Sequence, residues 1–357
     1  MLHAIAQRYG KYERHLSAGA LLAGFIVDTL TLTRVDSLFD NLILLFYLAV
    51  AGAGIVFINA YKAERIRSRA SHALARIVPY AVQFSFGGLF SGFVVIYGRS
   101  ASLYASWPFL LLLLVLLLGN EFFRRKYTRY GFQMTVFSLA VLSYLVLVIP
   151  VLFGAMGENI FLASVAAAFA LAVLFARFVA RISFPTVRIA GAYAGITAVF
   201  LVVLTLYFSR MIPPIPLSLK DAGVYHLVER SAGAYIAREE RAPFFARVFS
   251  RGTLHVSEGG KVYFYSAVFA PVRLRTEIFH VWQRFDAEKE IWETTDKIPI
   301  SVSGGREKGY RGYSFKSRIS PGLWRVRVET SRGDLLGMDS FYVVRSEKAP
   351  ETILREL

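Results

Sequence analysis

Residues 110–118 form an unbroken apolar run, Leu-Leu-Leu-Leu-Leu-Val-Leu-Leu-Leu. Such a run is at home in lipid, where a helix satisfies its own backbone hydrogen bonds and no water is needed to do so. A hydrocarbon core about 30 Å thick takes roughly 20 apolar residues in a helix. Seven windows come close to that length: Ser17–Thr33, Leu38–Ala60, Ile77–Tyr97, Leu103–Glu121, Phe132–Phe153, Ile160–Phe178 and Ile189–Ser209. The first contains Asp28, and a carboxylate at the centre of a span costs about 2.5 to 3.5 kcal/mol, less near an end.

The loops give the orientation, because Lys and Arg are retained on the cytoplasmic side. The N-terminal tail carries Arg8, Lys11 and Arg14; the second loop carries Lys62, Arg65, Arg67, Arg69 and Arg76. The fourth carries Arg124, Arg125, Lys126 and Arg129, and the sixth Arg177, Arg181 and Arg188. The intervening loops hold only Arg34 and Arg99. The N-terminus is therefore expected inside and, after seven spans, the C-terminal part outside, in the periplasm of a bacterium. The net charge of +16 divides the same way, +12 in residues 1–220 and +4 in 221–357. The basicity belongs to membrane loops, and no nucleic-acid partner is expected.

Basic residues ahead of an apolar stretch also resemble a signal peptide, but no small-residue cleavage site follows, so an uncleaved first span is the reading. The chain has no cysteine, which excludes disulfides, thiol nucleophiles, Cys-type zinc sites and iron–sulfur clusters. Histidines at 3, 15, 72, 226, 255 and 280 show no metal-ligand spacing, and neither metal nor cofactor is expected. No P-loop, GxGxxG, HExxH or ordered Ser-His-Asp set is present, so an enzyme is the minority class.

After the seventh window, Arg210-Met-Ile-Pro-Pro-Ile-Pro-Leu217 favours an extended, semi-rigid linker. From Val224 the period becomes alternating: Trp324, Val326 and Val328 share one face, Arg325 and Arg327 the other. Similar runs at 262–269, 277–285, 297–302, 310–318 and 340–344 are separated by turn signals Glu258-Gly-Gly260, Ser303-Gly-Gly305, Ser320-Pro-Gly322 and Ser331-Arg-Gly-Asp334. Residues 238–251 are unassigned. The predicted architecture is a seven-span α-helical transmembrane bundle (1–209), a Pro-rich linker (210–220), an all-β, immunoglobulin-like sandwich (221–346) and a C-terminal tail (347–357).

Polar groups inside spans are costly and invite a functional reading. Asp28, with Arg34, Asp36 and Asp40 beside the first outer loop, is either an ion-pair cluster pinning the first hairpin or a substrate-contacting carboxylate. An envelope-modifying enzyme would gather Asp28, Asp36 and Asp40 around one cavity. Glu121 has Arg124 and Arg125 at helical spacing, while Gln83 and Ser85 with Gly87, Gly88, Ser91 and Gly92 fit close helix packing. In the β-region His280 and Trp282 share a strand face, as do Arg311, Tyr313 and Phe315. Were those faces to meet, they would form an aromatic and cationic patch for a sugar or an anionic lipid or glycan group; the alternative is a sandwich core with Trp282, Trp324 and Phe315 packed inside and His280 hydrogen-bonded.

Specific strings resemble a known group: Phe25-Ile-Val-Asp-Thr-Leu-Thr-Leu-Thr-Arg34, Gln83-Phe-Ser-Phe-Gly-Gly-Leu-Phe-Ser91, Asn120-Glu121, Pro213-Pro-Ile-Pro-Leu-Ser-Leu-Lys220, His280-Val-Trp282, Gly309-Tyr-Arg-Gly-Tyr-Ser-Phe-Lys316 and Pro321-Gly-Leu-Trp-Arg-Val326. The chain is similar over most of its length to bacterial multi-span membrane proteins that end in the domain of unknown function 2914. The resemblance implies the architecture and a bacterial origin, and it carries no catalytic residue.

The leading expectation is a noncatalytic inner-membrane anchor whose periplasmic β-domain binds a protein, glycan or envelope component, with the lipid bilayer as its other partner. The alternative is a transporter or channel-like protein with Asp28 as coupling or gating carboxylate. Reporters active only outside or only inside the cytoplasm, fused after Leu219 and after Leu357, are expected to give the outside signal at both positions. An inside signal would remove one span, the one holding Asp28 first.

Overall fold

A computed structural model of the protein describes residues 25–32, 36–100, 102–120, 126–183, 189–214, 216–231, 234–240, 252–272, 274–306, 308–348 and 350–357. The chain divides into two compact units, one of helices ending at Ile212 and one of strands from Pro213 onward.

In the first unit residues 25–31 are helical (α1), followed by α2 Leu38–Lys62, α3 Arg69–Ser100, α4 Leu103–Gly119, α5 Tyr130–Phe153, α6 Glu158–Ser183 and α7 Ile189–Phe208. Five of these, α2, α3, α5, α6 and α7, are long and apolar enough to cross a membrane, and α4 is a shorter apolar helix of 17 residues. Ser37 caps α2, its hydroxyl accepting from the Asp40 N–H at 3.3 Å, and the Asp40 carboxylate sits in the first turn, where the helix dipole favours it. Gly154 ends α5 in the left-handed conformation (φ 60°), which suits a glycine.

With lipid-like side chains on the outside, helix association relies on close approach and on polar pairs. The glycines of α3 supply the first. A Cβ at Gly88 would lie 2.7 Å from the Tyr47 ring, one at Gly92 2.7 Å from Leu44, and one at Gly87 3.0 Å from Asn120. The second comes from Asn59 Nδ2, which donates to Gln133 Oε1 at 2.6 Å between α2 and α5, both side chains buried. Tyr97 donates to the Ser143 carbonyl (2.8 Å) and Tyr130 to the Ala176 carbonyl (2.7 Å), tying α3 and α6 to α5. Asn120 Nδ2 donates to the Gln83 carbonyl at 3.0 Å, bracing α4 on α3.

The second unit contains eleven strands among the described residues. A five-stranded sheet has the order β4 (Gly252–Val256), β10 (Leu335–Arg345), β9 (Gly322–Thr330), β6 (Arg275–Asp286), β7 (Ile291–Ser303). A three-stranded sheet runs β1 (Ser218–Tyr225), β5 (Lys261–Phe269), β8 (Tyr310–Ser317), and a small one β11 (Thr352–Glu356), β3 (Ala234–Glu240), β2 (Leu227–Ser231). All pairings are antiparallel except β4 with β10. The first two sheets meet face to face: Phe264 of β5 packs edge-on against His280 (4.8 Å) and Trp282 (6.4 Å) of β6, and Trp324, Val326, Val328 and Phe341 are buried in the same layer.

Strand alternation placed six of these elements, β5 to β10, and did not assign β1, β2, β3, β4 or β11. β7 begins at Ile291 rather than Lys297, because it is an edge strand whose exposed Glu293, Thr294 and Thr295 hide the alternation. β1 starts inside the stretch read as linker, and β11 lies in the stretch read as tail, paired to β3. Of the unassigned 238–251, residues 238–240 complete β3 and 241–251 lie outside the described residues.

Among the glycines of the described helices the least room is at Gly195 of α7, where a Cβ would collide with the Thr135 hydroxyl of α5, whereas Gly191 one turn earlier has open space. Gly195→Val is expected to lower the thermal midpoint of the purified full chain by several degrees and Gly191→Ala to leave it unchanged. Melting curves of both variants beside the parent check this.

Candidate functional site

His280 and Trp282 point between the two stacked sheets and are fully buried. The His280 ring is held at both nitrogens, with Nε2 2.8 Å from Ser266 Oγ and Nδ1 2.9 Å from Ser314 Oγ; Trp282 Nε1 donates to the same Ser314 Oγ at 3.0 Å. Burial pushes the His280 pKa down to about 3, so the ring is neutral. These two residues therefore do not join Arg311 and Tyr313 in one patch. Ser314 faces inward, and its neighbours Tyr313 and Phe315 consequently face outward.

That outward face is an aromatic surface. In the β5–β8 register Tyr263 stands opposite Phe315 and Tyr265 opposite Tyr313. Ring centroids are 5.5 Å apart for Tyr263–Phe315, 6.0 Å for Tyr263–Tyr313 and 6.2 Å for Tyr313–Tyr235, the last ring supplied by β3. Tyr265, at the inner end of the row, is closed off by Val228 and Ala237 of the small sheet, while Tyr313 and Phe315 remain 37% and 48% exposed. Two cations flank the row. Lys261 Nζ lies 5.3 Å from the Phe315 centroid and the Arg311 guanidinium carbon 5.5 Å from that of Tyr235. Tyr235 donates its hydroxyl hydrogen to the Arg311 carbonyl at 3.2 Å, and Arg311 Nη1 donates to the Leu357 carbonyl oxygen at 2.8 Å, so the far end of the row is rigidly built.

Sequence reasoning found Arg311, Tyr313 and Phe315 but missed Tyr235, Tyr263 and Lys261. The stretch Val262-Tyr-Phe-Tyr265 is aromatic on both faces, so its period cannot say which side is buried. It also missed a polar cluster joining three strand ends. Glu240 accepts from His226 Nε2 (2.7 Å), from the His255 backbone N–H (2.6 Å) and from His255 Nδ1 (2.8 Å). Partial burial raises the Glu240 carboxyl, but the hydrogen bonds from His255 and His226 outweigh it and bring the group below its ordinary value. Separations of 14 and 15 residues carry no motif. Among the described residues no group of three or more His, Asp or Glu is placed to hold a metal, and the cluster is an internally bonded brace.

In the helical unit Ser91 of α3 donates to the Asp28 carboxylate, and Arg99 Nη2 donates to the Thr29 carbonyl at 2.7 Å. Asp40 is buried at the start of α2 and Asp36 is partly exposed just before it. Arg34, Glu121, Arg124 and Arg125 lie outside the described residues.

Fold and site together define a protein of several membrane-length apolar helices followed by a β-rich region with an exposed aromatic row. Residues 275–343, from the start of β6 into β10, match the family described as Protein of unknown function (DUF2914), as the strings around His280, Tyr310 and Trp324 led one to expect. No curated protein matches the chain. Among solved structures it is similar to a β-glucosidase from Listeria innocua in complex with gluconolactone, at 12% identity, a TM-score of 0.19, and 32% of this chain against 17% of that one. It is also similar to the Pseudomonas fluorescens alkylpurine DNA glycosylase AlkC bound to DNA containing an abasic site analog, at 11% identity, a TM-score of 0.21, and 88% of this chain against 99% of that one. At such scores neither likeness carries an argument about fold or function.

The buried histidine gives the β-region a pH signature. The folded protein holds His280 neutral down to about pH 3, whereas the unfolded chain takes the proton near the ordinary imidazole value of 6.5. The unfolded state therefore binds more protons in that window, and folding stability is full above it and falls as pH drops through it. Between pH 6.5 and 5 the loss attributable to His280 is about 2 kcal/mol. Asp339, raised by burial to about 6, works in the opposite sense over its own window. Denaturant melts of wild type and His280→Asn at both pH values separate the two: the Asp339 contribution is common to both proteins, and the stability of the variant relative to wild type is expected to rise by about 2 kcal/mol from pH 6.5 to pH 5.

Proposed function

We propose that the protein is a seven-span inner-membrane anchor with a cytoplasmic N-terminus, whose periplasmic, immunoglobulin-like sandwich binds a saccharide of the cell envelope. The observation that carries this reading is the row Tyr235–Tyr313–Tyr263–Phe315 on the outer face of the three-stranded sheet. Rings of this kind offer flat apolar area for the C–H face of a pyranose at little conformational cost, and tyrosine hydroxyls serve the sugar's own hydroxyls. Lys261 and Arg311 add donors at the two ends. The row is rigid because its members sit on paired strands rather than on loops, which favours recognition over adaptation.

The alternative of transport through the bundle draws on Asp28. Its bond from Ser91 locks α1 against α3, and an interhelical hydroxyl–carboxylate bond is a sufficient reason for the residue to be there. We therefore read Asp28 as a structural pin.

Co-sedimentation of the full chain with purified peptidoglycan sacculi, and calorimetry with soluble oligosaccharides, test the binding role. Stacked aromatics contribute about 0.5 to 1.5 kcal/mol each beyond their buried area, so the double variant Tyr313→Ala/Phe315→Ala is expected to weaken binding at least about tenfold. Unchanged binding in a folded double variant would exclude this surface.

A further inference from the structure

A second concave surface lies on the five-stranded sheet, at the end of the β6–β7 hairpin. The cleft has a volume of about 920 Å³ and is lined by Arg284, Asp286, Glu288, Trp292, Glu293 and Tyr342, among others. That is within the range of small-molecule sites, roughly 300 to 1,000 Å³.

Three observations define what it would accept. The first is aromatic area: Trp292 packs on Phe285 at 5.2 Å, and Tyr342 on the far wall is 42% exposed. The second is that the walls are held in place. The Arg325 guanidinium carbon lies 4.1 Å from the Trp292 ring centroid, its Nε donates to Gln283 Oε1 at 2.7 Å, and Gln283 Nε2 donates to Thr294 Oγ1 at 2.9 Å. At the hairpin tip Asp286 Oδ1 accepts from the backbone N–H groups of Glu288 (2.9 Å) and Lys289 (3.2 Å). The third is charge balance. The lining itself carries Arg284 against Asp286, Glu288 and Glu293, and two cations just outside it offset the difference: Lys289 bridges Asp286 (3.1 Å) and Glu293 (2.8 Å), and Arg325 lies on Trp292, so that the set with these two neighbours is balanced. A site built to capture an ionic group leaves an excess of the opposite charge; a balanced set of donors and acceptors beside aromatic rings suits a polyhydroxylated, uncharged ligand.

We propose that this cleft is a second binding site, for a neutral saccharide. A pyranose ring stacks on Trp292 or Tyr342, and its hydroxyls accept from Arg284 and donate to Glu288 and Glu293. The proposal rests on the reading of the β-region as a saccharide-binding module and adds a site on a different sheet from the aromatic row.

The test uses the full chain in lipid nanodiscs, because a maltoside detergent would itself present sugar. Calorimetry with neutral glucose and N-acetylglucosamine tetramers is run on wild type, on the cleft variants Trp292→Ala and Arg284→Ala, and on Tyr313→Ala/Phe315→Ala. Arg284 is exposed, so its variant keeps the test valid should Trp292→Ala fail to fold. The expected result is a class of binding that weakens at least about tenfold in the cleft variants and persists in the row variant, with Trp292 fluorescence responding to sugar. Two classes of binding, one lost in the cleft variants and the other in the row variant, support both sites, whereas loss in the cleft variants with no change in the row variant supports the cleft and removes the aromatic row as a site. Loss only in the row variant overturns the cleft and leaves the proposed function standing, whereas no binding by any form overturns both. Tighter binding of a polygalacturonate or glucosamine oligomer than of the neutral tetramers would overturn the neutral class.

Discussion

The arrangement of the β-region depends on one buried hydroxyl. Ser314 Oγ serves both His280 Nδ1 and Trp282 Nε1 across the gap between two sheets, and a ring and an indole buried without such a partner would each cost a desolvation penalty of about 1 to 3 kcal/mol. Ser314 must therefore face inward. Because side chains alternate along a strand, its neighbours Tyr313 and Phe315 are then forced outward, and the β5 register adds Tyr263 beside them. The exposed aromatic surface is a geometric consequence of the polar pair buried behind it. A one-residue slip of β8 would bury Tyr313 and Phe315 and leave His280 Nδ1 and Trp282 Nε1 without their partner, so core and surface are specified together.

The helical unit meets the same accounting under a stricter solvent. Water is absent from the hydrocarbon layer, so polar side chains there must find partners within the bundle. Asn59 finds Gln133, Asn120 finds the Gln83 carbonyl, Asp28 finds the Ser91 hydroxyl, and Tyr97 and Tyr130 reach carbonyls of neighbouring helices. These bonds cross between helices, so each polar residue also fixes a packing partner. The glycines of α3 allow the approach that makes such short bonds attainable, which is why Gly88 and Gly92 lie directly under Tyr47 and Leu44.

Much of this was legible in the sequence, and the parts that were not share a cause. Helices long enough for a bilayer announce themselves by length and apolarity, and strands with one buried face, such as Trp324–Val328, by alternation. β7 was half seen because an edge strand has little burial on either side, and β1, β3 and β11 because their partners, not their own pattern, hold them in place. The cluster of His226, Glu240 and His255 has no signature, since its members come from three strand ends that only the fold brings together. The His280 and Trp282 face was read correctly as a shared face, but which way it pointed depended on the position of Ser314 on another strand.

That a neutral histidine occupies the centre of an otherwise apolar layer has a cost, because an aromatic hydrocarbon of similar size would need no hydrogen bonds and would not destabilise the fold in acid. What the histidine contributes is directional. Its two nitrogens accept only one relative placement of β5, β6 and β8, with Ser266 on one side and Ser314 on the other, whereas a packed phenylalanine would tolerate a slide of one sheet over the other. A fully satisfied buried network rigidifies and specifies a core in this way. In a region whose proposed binding surfaces are rows of side chains on those same strands, holding the strands to one register holds the surfaces to one geometry.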